Sequence, residues 1–494
     1  MKKMNKKTRG LLIGVLVVVL LAVVTVVLLL TGNQGEDTSS SSSTAQTETY
    51  PLIEANIEDF TSLKVTNGEG TYTILPGSEA DTFTVEELTG YEQDSSTAKS
   101  TVSGLTALNA TNKVMDTVEN KADYGLETPS ATAEVVFGDQ SYTIYLGEEA
   151  ASNAGYYAMM EGDDALYTIS STVAKTLLNR SLDYASKAMT PSIDTSDAES
   201  IPNMTYLNIQ RPDLEQPITL ETNPNVEEGM FNSSYRMVSP IESEIDYQAD
   251  ETYVWSMFGL SAARVTDFYD EANAAAYGFD QPAATIDMTY DNINVHMVIG
   301  DLVPDDDSYR YVLFNDRGLV FEVAADSLPL VTVQADDLIS SLGILPAMVD
   351  LSSVDFVLKG ETYTFEITNT EVEEEEDEST TSESEPQLET TKVVCNGQEV
   401  DVDQFKNFYQ LMIYPQIENI NTDPVSVEPT VEMRFNYADG SKTESMEFYE
   451  VGDSRRIQIA INGDLKFEAR SGFITKLETE LQHLLAGEEV GTEW

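Results

Sequence analysis

Apart from carboxylates, reactive side chains are scarce in this chain: two histidines, His296 and His483, and one cysteine, Cys395, stand against 86 Asp and Glu. A histidine metal site or a serine–histidine–acid triad would need both imidazoles to converge with partners. The sequence carries no G-x-S-x-G, H-E-x-x-H, phosphate-loop or dinucleotide-binding glycine pattern to organise them. His296 sits in a strand pattern on the face opposite Val295, Met297 and Ile299. His483 lies in a final helix over 474–485 whose apolar face uses Leu477, Leu481 and Leu484, so both histidines read as surface residues. Cys395 closes the run Lys392–Cys395 before Asn396-Gly397 and reads as a buried strand thiol, with no basic neighbour to activate it and no second cysteine for a disulfide. Paired carboxylates, as in glycoside hydrolysis, are the one catalytic arrangement that composition leaves open. The expectation is a protein without enzymatic activity, metal or cofactor.

The acids themselves read as solvated surface. Formal charge is −59, and because all 86 acids follow residue 30 while five of the 27 bases precede it, the remainder carries 22 − 86 = −64. Such a surface excludes nucleic acid and anionic lipid headgroups as partners. Glu371–Glu385, EVEEEEDESTTSESE, is too polar to bury a core and is predicted to be a disordered loop insertion over about 371–390. It lacks the Asp-x-Asp-x-Asp-Gly spacing of a dedicated calcium loop, and Asp305-Asp306-Asp307 is predicted to occupy a turn. Tyr156-Tyr157 and Tyr309-Arg310-Tyr311 are expected to form cross-strand pairs, and Arg455-Arg456 to pair with nearby acids.

The elements that must position all of this are repeated. Tyr124–Gly147, YGLETPSATAEVVFGDQSYTIYLG, recurs as Tyr277–Gly300, YGFDQPAATIDMTYDNINVHMVIG, at an offset of 153 residues with six of 24 positions identical. The kept residues are Tyr124, Gly125, Pro129, Ala131, Thr132 and Gly147, matched by Tyr277, Gly278, Pro282, Ala284, Thr285 and Gly300. A helix is predicted to run into Tyr-Gly, where glycine takes the left-handed conformation and the following proline blocks re-entry. Ala133, Val135 and Phe137 then alternate with polar positions, as do Ile286, Met288 and Tyr290, and turns at Gly138-Asp139 and Asp291-Asn292 return the chain in a hairpin. A diverged third copy reads Pro429-Thr430-Val431-Glu432-Met433-Arg434-Phe435, with Phe435 set against Phe137, the proline displaced and Tyr-Gly missing.

Upstream of each copy an alternating segment (Phe60, Met204 and Leu351 onward) opens a hairpin, and apolar stripes suggest helices through Leu105, Leu108, Val114 and Val118, through Val265, Phe268, Tyr269 and Ala272, and through Phe405, Phe408 and Met412. The fold class expected is α+β: three tandem modules of antiparallel β-hairpins with one or two helices each, over 50–190, 195–345 and 346–494. Before them, Lys2, Lys3, Lys6, Lys7 and Arg9 lie in a basic segment, 1–10, that precedes twenty uncharged residues, Leu11–Leu30. That stretch spans about 30 Å as a helix, enough to cross a bilayer with the N-terminus cytoplasmic and the rest extracytoplasmic. Residues 31–49 read as a flexible Ser/Thr-rich linker.

The repeated Y-G-[LF]-[ED]-x-P, the T-[AIV]-[ED] strand, the closing Leu/Ile-Gly and the basic anchor together resemble the bacterial family catalogued as domain of unknown function 4340. The likeness runs from about Phe60 to Val331 and weakens beyond. It implies a membrane-anchored extracytoplasmic protein, held in membrane lipid by its N-terminal helix and associated with an ABC-type transport system; it implies no catalytic residue. The expected role is that of an accessory protein docking on an ABC permease. The alternative is a cell-surface module binding cell-wall glycan or peptide through exposed tyrosines.

Overall fold

Alternation of apolar and polar residues gives each module its central strand. In the computed structural model, which describes residues 50–151, 154–194, 196–197, 200–224, 233–372 and 387–493, these are Phe60–Asn67, Met204–Gln210 and Leu351–Leu358. Each pairs on one side with the next strand in the chain: Gly70–Pro76, Ile218–Thr222 and Glu361–Val372. On its other side it pairs with the strand of the repeated motif: Ala131–Phe137, Ala284–Tyr290 and Val431–Tyr437. The chain then meanders outward and closes the sheet on an edge strand, Asn112–Met115, Arg264–Phe268 or Asn419–Ile420, that precedes the motif in sequence. Three antiparallel sheets of eight, nine and nine strands result, alike in order, with a fourth small sheet pairing Tyr50–Pro51 with Asn109–Ala110.

One face of each sheet carries the core. Val354, Phe356, Phe365, Met433, Phe435 and Phe448 of the third module are fully buried, beneath the helices Val402–Ile413 and Gly472–Ala486. Ring pairs such as Phe365–Phe405 at 4.9 Å and Phe448–Phe473 at 4.9 Å join the two layers. Burying one such side chain is worth roughly 1.5–3 kcal/mol. Helix starts are capped by short acceptors: Asp94 takes the amides of Ser96 and Thr97 ahead of Ser95–Thr106, and Asp401 takes those of Asp403 and Gln404. The second module replaces the long helix with a broken segment, Tyr247–Ala249, a π turn Asp250–Val254 and a 3-10 turn Trp255–Met257. Buried apolar side chains are continuous through all three modules, from Ile53 to Val490.

Several sequence expectations change. Of the first apolar stripe only Leu105 is helical, since Val114 lies in an edge strand; the second stripe is split, with Val265 and Phe268 in the strand Arg264–Phe268, facing the core across a bulge that mimics helical spacing, and Ala272 in the 3-10 turn Glu271–Ala276. Phe405, Phe408 and Met412 do form a helix face. The Asp305–Asp307 run turns only at Asp305, and Asp306 already starts a strand. The third copy also has a different register. Phe60 pairs with Phe137, Met204 with Tyr290 and Leu351 with Tyr437, each followed by the same bulge. Tyr437, two residues beyond Phe435, is thus the counterpart of Phe137; a slip of two keeps the same face buried, so alternation alone does not reveal it. In the true register Pro429 coincides with Pro129 and Pro282 and has not moved. Thr430 stands opposite Ser130 and Ala283 rather than Thr132 and Thr285.

The apolar stretch 11–30, the linker 31–49 and residues 373–386 of the acidic insertion lie outside the described residues. Among the described residues no helix is long and apolar enough to cross a membrane.

Candidate functional site

The repeated residues come together as a fastening on the second face of the first two sheets. Short 3-10 turns, Lys121–Tyr124 and Glu271–Ala276, lead into Tyr-Gly where a longer helix is expected, and Gly125 and Gly278 take φ values of 67° and 75°. The chain passes so close to the returning strand that a Cβ on Gly147 would lie 2.1 Å from the carbonyl oxygen of Tyr124, and one on Gly300 2.0 Å from that of Tyr277. In the second module the amide of Asp301 donates to that same Tyr277 oxygen at 2.9 Å. The closing glycine is therefore the seat of the tyrosine carbonyl. The third module confirms the coupling: Pro424-Val425 replaces Tyr-Gly, and Tyr449 occupies the place of the closing glycine. The residue after each proline ties the same way, with Ser130, Ala283 and Thr430 donating their amides to Leu146, Ile299 and Phe448 at 2.7, 2.8 and 2.8 Å.

Under this fastening lie two satellite apolar clusters. Leu126, Met159 and Leu166 pack with Tyr124, Tyr145 and Tyr157; Phe279, Tyr311 and Val320 pack with Tyr269, Tyr277 and Val298. The second tyrosine of each expected pair stacks edge-on against the motif tyrosine, Tyr157 on Tyr124 at 5.0 Å and Tyr311 on Tyr277 at 4.9 Å. Tyr277 also donates to Asp267 at 2.8 Å, and burial together with that bond pushes its phenol up to about 12. These rings pack edge-on against one another. In the third module Gln458 stands in their place and donates to Asn421 and to the Asp423 carbonyl, both at 2.9 Å.

The remaining candidates are dispersed. His296 is exposed and bonded to Asp287 at 2.7 Å; His483 is bonded to Glu480 at 3.0 Å. Cys395 is buried, which pushes its thiol up to about 11. Arg456 pairs with Glu418 and Glu468. Among the described residues no three His, Cys, Asp or Glu side chains gather to hold a metal ion. The titratable group that sequence reasoning missed is Asp250. It is 4 % exposed on the π turn, bonded to the Ser233 hydroxyl and the Ser234 amide, and burial pushes its carboxyl up to about 6. In sequence it is one acid among 86.

Openings of the first module lie near this architecture, among them one of about 380 Å³ lined by Asn112, Val114 and Tyr157. Another, of about 290 Å³, is lined by Pro51, Leu52, Thr143, Glu161, Asp163 and Tyr167. Its carboxylates are engaged, Glu161 by Thr143 at 2.7 Å and Asp163 by Tyr167 at 2.8 Å. A third, of about 610 Å³, opens widely beside Asn56, Asp59 and Gln140.

No curated protein and no solved structure matches the chain. One family does, over residues 83–282 and again over 236–407, starting later than the expected Phe60 and passing the expected limit at Val331 into the third module. The two matches start 236 − 83 = 153 residues apart, the offset of the internal repeat, and together span 325 of 494 residues. The chain belongs to the family described as Domain of unknown function (DUF4340).

Proposed function

We propose that this chain is a non-enzymatic, membrane-anchored extracytoplasmic interaction protein, an accessory to an ABC-type transport system. The observation that supports the reading most is the use made of the repeated residues: Tyr124, Gly147, Tyr277 and Gly300 are consumed in seating a backbone carbonyl on a glycine. What recurs along the chain is a shape for presentation, fastened without reactive groups. The five bases ahead of the apolar residues Leu11–Leu30 supply the anchor and its orientation, and the acidic remainder is suited to a water-exposed surface. Mild detergent extraction followed by chemical crosslinking tests the proposal. It expects a permease subunit joined to this chain; recovery of the chain alone under conditions that preserve known permease complexes overturns it.

A further inference from the structure

At both internal junctions a module fastens onto the edge strand of the next sheet. Arg180 of the first module donates to the carbonyls of Val265 and Thr266, at 2.8 and 3.2 Å, on the edge strand of the second. Asp336 of the second accepts the amide of Ile420, at 2.7 Å, on the edge strand of the third. Next to each contact the arriving chain runs beside the residues before that edge, with Met189 donating to Leu260 at 2.9 Å and Ser341 accepting from Ile417 at 3.0 Å. The first module has the same parts: Leu52 donates to Leu108 at 2.8 Å, and Tyr50 pairs with Ala110. Its edge strand Asn112–Met115 is the outermost strand of its sheet among the described residues, as Arg264–Phe268 and Asn419–Ile420 are of theirs. Val114 stands there where the second module has Thr266, and it is 38 % exposed.

The charge at this corner is reversed. The amides of Glu161 and Asn315 donate to the equivalent carbonyls of Thr143 and His296, so Asp163 occupies the place of Arg317. Arg317 clamps the first junction, reaching the Ala188 carbonyl at 2.7 Å and Glu92 at 2.9 Å. In the first module the same corner is an acid-bordered cavity of about 290 Å³ beside Pro51 and Leu52. Hydrogen bonds from the Ala165 amide and the Tyr167 hydroxyl, together with the Lys113 ammonium on the edge strand, hold the Asp163 carboxyl below its ordinary range. Residues 31–49 separate the apolar stretch from Tyr50, at most about 65 Å of extended chain, which makes this the end nearest the anchor.

We infer that this end of the first module is a third junction: the edge Asn112–Met115 and the cavity at Glu161 and Asp163 dock an arginine- or lysine-bearing extracytoplasmic segment of the membrane partner. The inference rests on the anchored accessory role proposed above and adds the surface and the chemistry of the contact. The basic group supplies from outside what Arg180 and Arg317 supply within the chain: donors for edge carbonyls and a further positive charge, beside that of Lys113, at the corner.

The test uses the full-length chain in its native membrane, with a photo-crosslinking amino acid at Val114 and, as control, at Ile293, which is 51 % exposed on the second module. The expected adduct at Val114 is a lysine- or arginine-rich segment of a membrane protein, absent at Ile293. In Asp163→Asn plus Glu161→Gln, which keeps the hydrogen-bond acceptors and removes the charge, its yield falls at least about tenfold, a loss of about 1.4 kcal/mol of binding. The unfolding temperature of the doubly substituted chain stays within about 2 °C, so lost yield is not lost fold. Adducts to lipid, to a second copy or to residues 1–49 overturn the inference, as does a yield that ignores the charge. If a permease crosslinks to the chain elsewhere while Val114 stays unreactive, this surface is refuted and the accessory role survives; if no permease is recovered at all, both fall.

Discussion

Replacing Gly300 by alanine should unseat the fastening of the second module. The new methyl would stand 2.0 Å from the Tyr277 carbonyl oxygen, and the Phe279 ring lies only 3.0 Å away. A comfortable carbon–oxygen separation is about 3.3 Å, so the tyrosine backbone must retreat by roughly 1.3 Å. That movement breaks the 2.9 Å bond from the Asp301 amide, a loss of about 1 kcal/mol. It also lifts Tyr277 and Phe279 from Tyr311, and overpacking of this kind costs about 1–3 kcal/mol. A total near 3 kcal/mol corresponds to a drop of roughly 6–12 °C in the unfolding temperature of a module of about 150 residues. Near-ultraviolet circular dichroism of the full chain in detergent, which reads the tyrosine clusters, is the assay. Gly472→Ala is the control, since its Cβ meets nothing within 4 Å. If Gly300→Ala melts within about 2 °C of that control, the seating of the carbonyl on glycine is not what holds this loop.

Other outcomes follow from the same geometry. Asp250 has a folded-state pKa of about 6, raised from 3.8 chiefly by burial; the native state thus holds its proton longer than the unfolded state, and stability is lost as pH rises from about 4 through 6. Asp250→Asn should then stabilise the chain by up to about 3 kcal/mol at pH 8 and scarcely at pH 4, read from denaturant midpoints; equal effects at both pH values would refute the assignment. Arg180→Ala frees the carbonyls of Val265 and Thr266, and bonds to a charged donor are worth about 1.5–3 kcal/mol each, so amide exchange across 264–268 should accelerate while that across 431–437 does not. Cys395, buried with its thiol pushed up to about 11, should react with a disulfide reagent at pH 8 only after denaturant is added; prompt labelling of the folded chain would contradict its placement.

Much of the fold was legible because alternation and turn chemistry are local. The central strands from Phe60, Met204 and Leu351, the hairpin turns at Gly138 and Asp291, and the helix through Phe405 and Phe408 all appear where the pattern places them. What misled were features that tertiary contacts decide. Val265 and Phe268 keep a helix-like spacing because a bulge shifts the register of an edge strand. Pro429 looked displaced because a two-residue slip preserves the buried face, and only the pairing of Leu351 with Tyr437 reveals it. The repeat did point to the right residues, Tyr124, Gly147, Tyr277 and Gly300. Their purpose was hidden because the partner of each glycine is a backbone carbonyl 23 residues earlier, which no side-chain pattern announces. Asp250 and the charge reversal between Asp163 and Arg317 likewise emerge only when the sheets are set in register.

Amide hydrogen exchange at Ser130, Ala283 and Thr430, in the full chain and at single-residue resolution, tests the claim that one module has been built three times in one register. Each of these amides follows the motif proline and donates at 2.7–2.8 Å to the returning strand, so all three should exchange slowly and lose protection only as their own sheet opens. Rapid exchange at Thr430 beside slow exchange at Ser130 and Ala283 would show that the third segment does not share the arrangement, and would contradict the account.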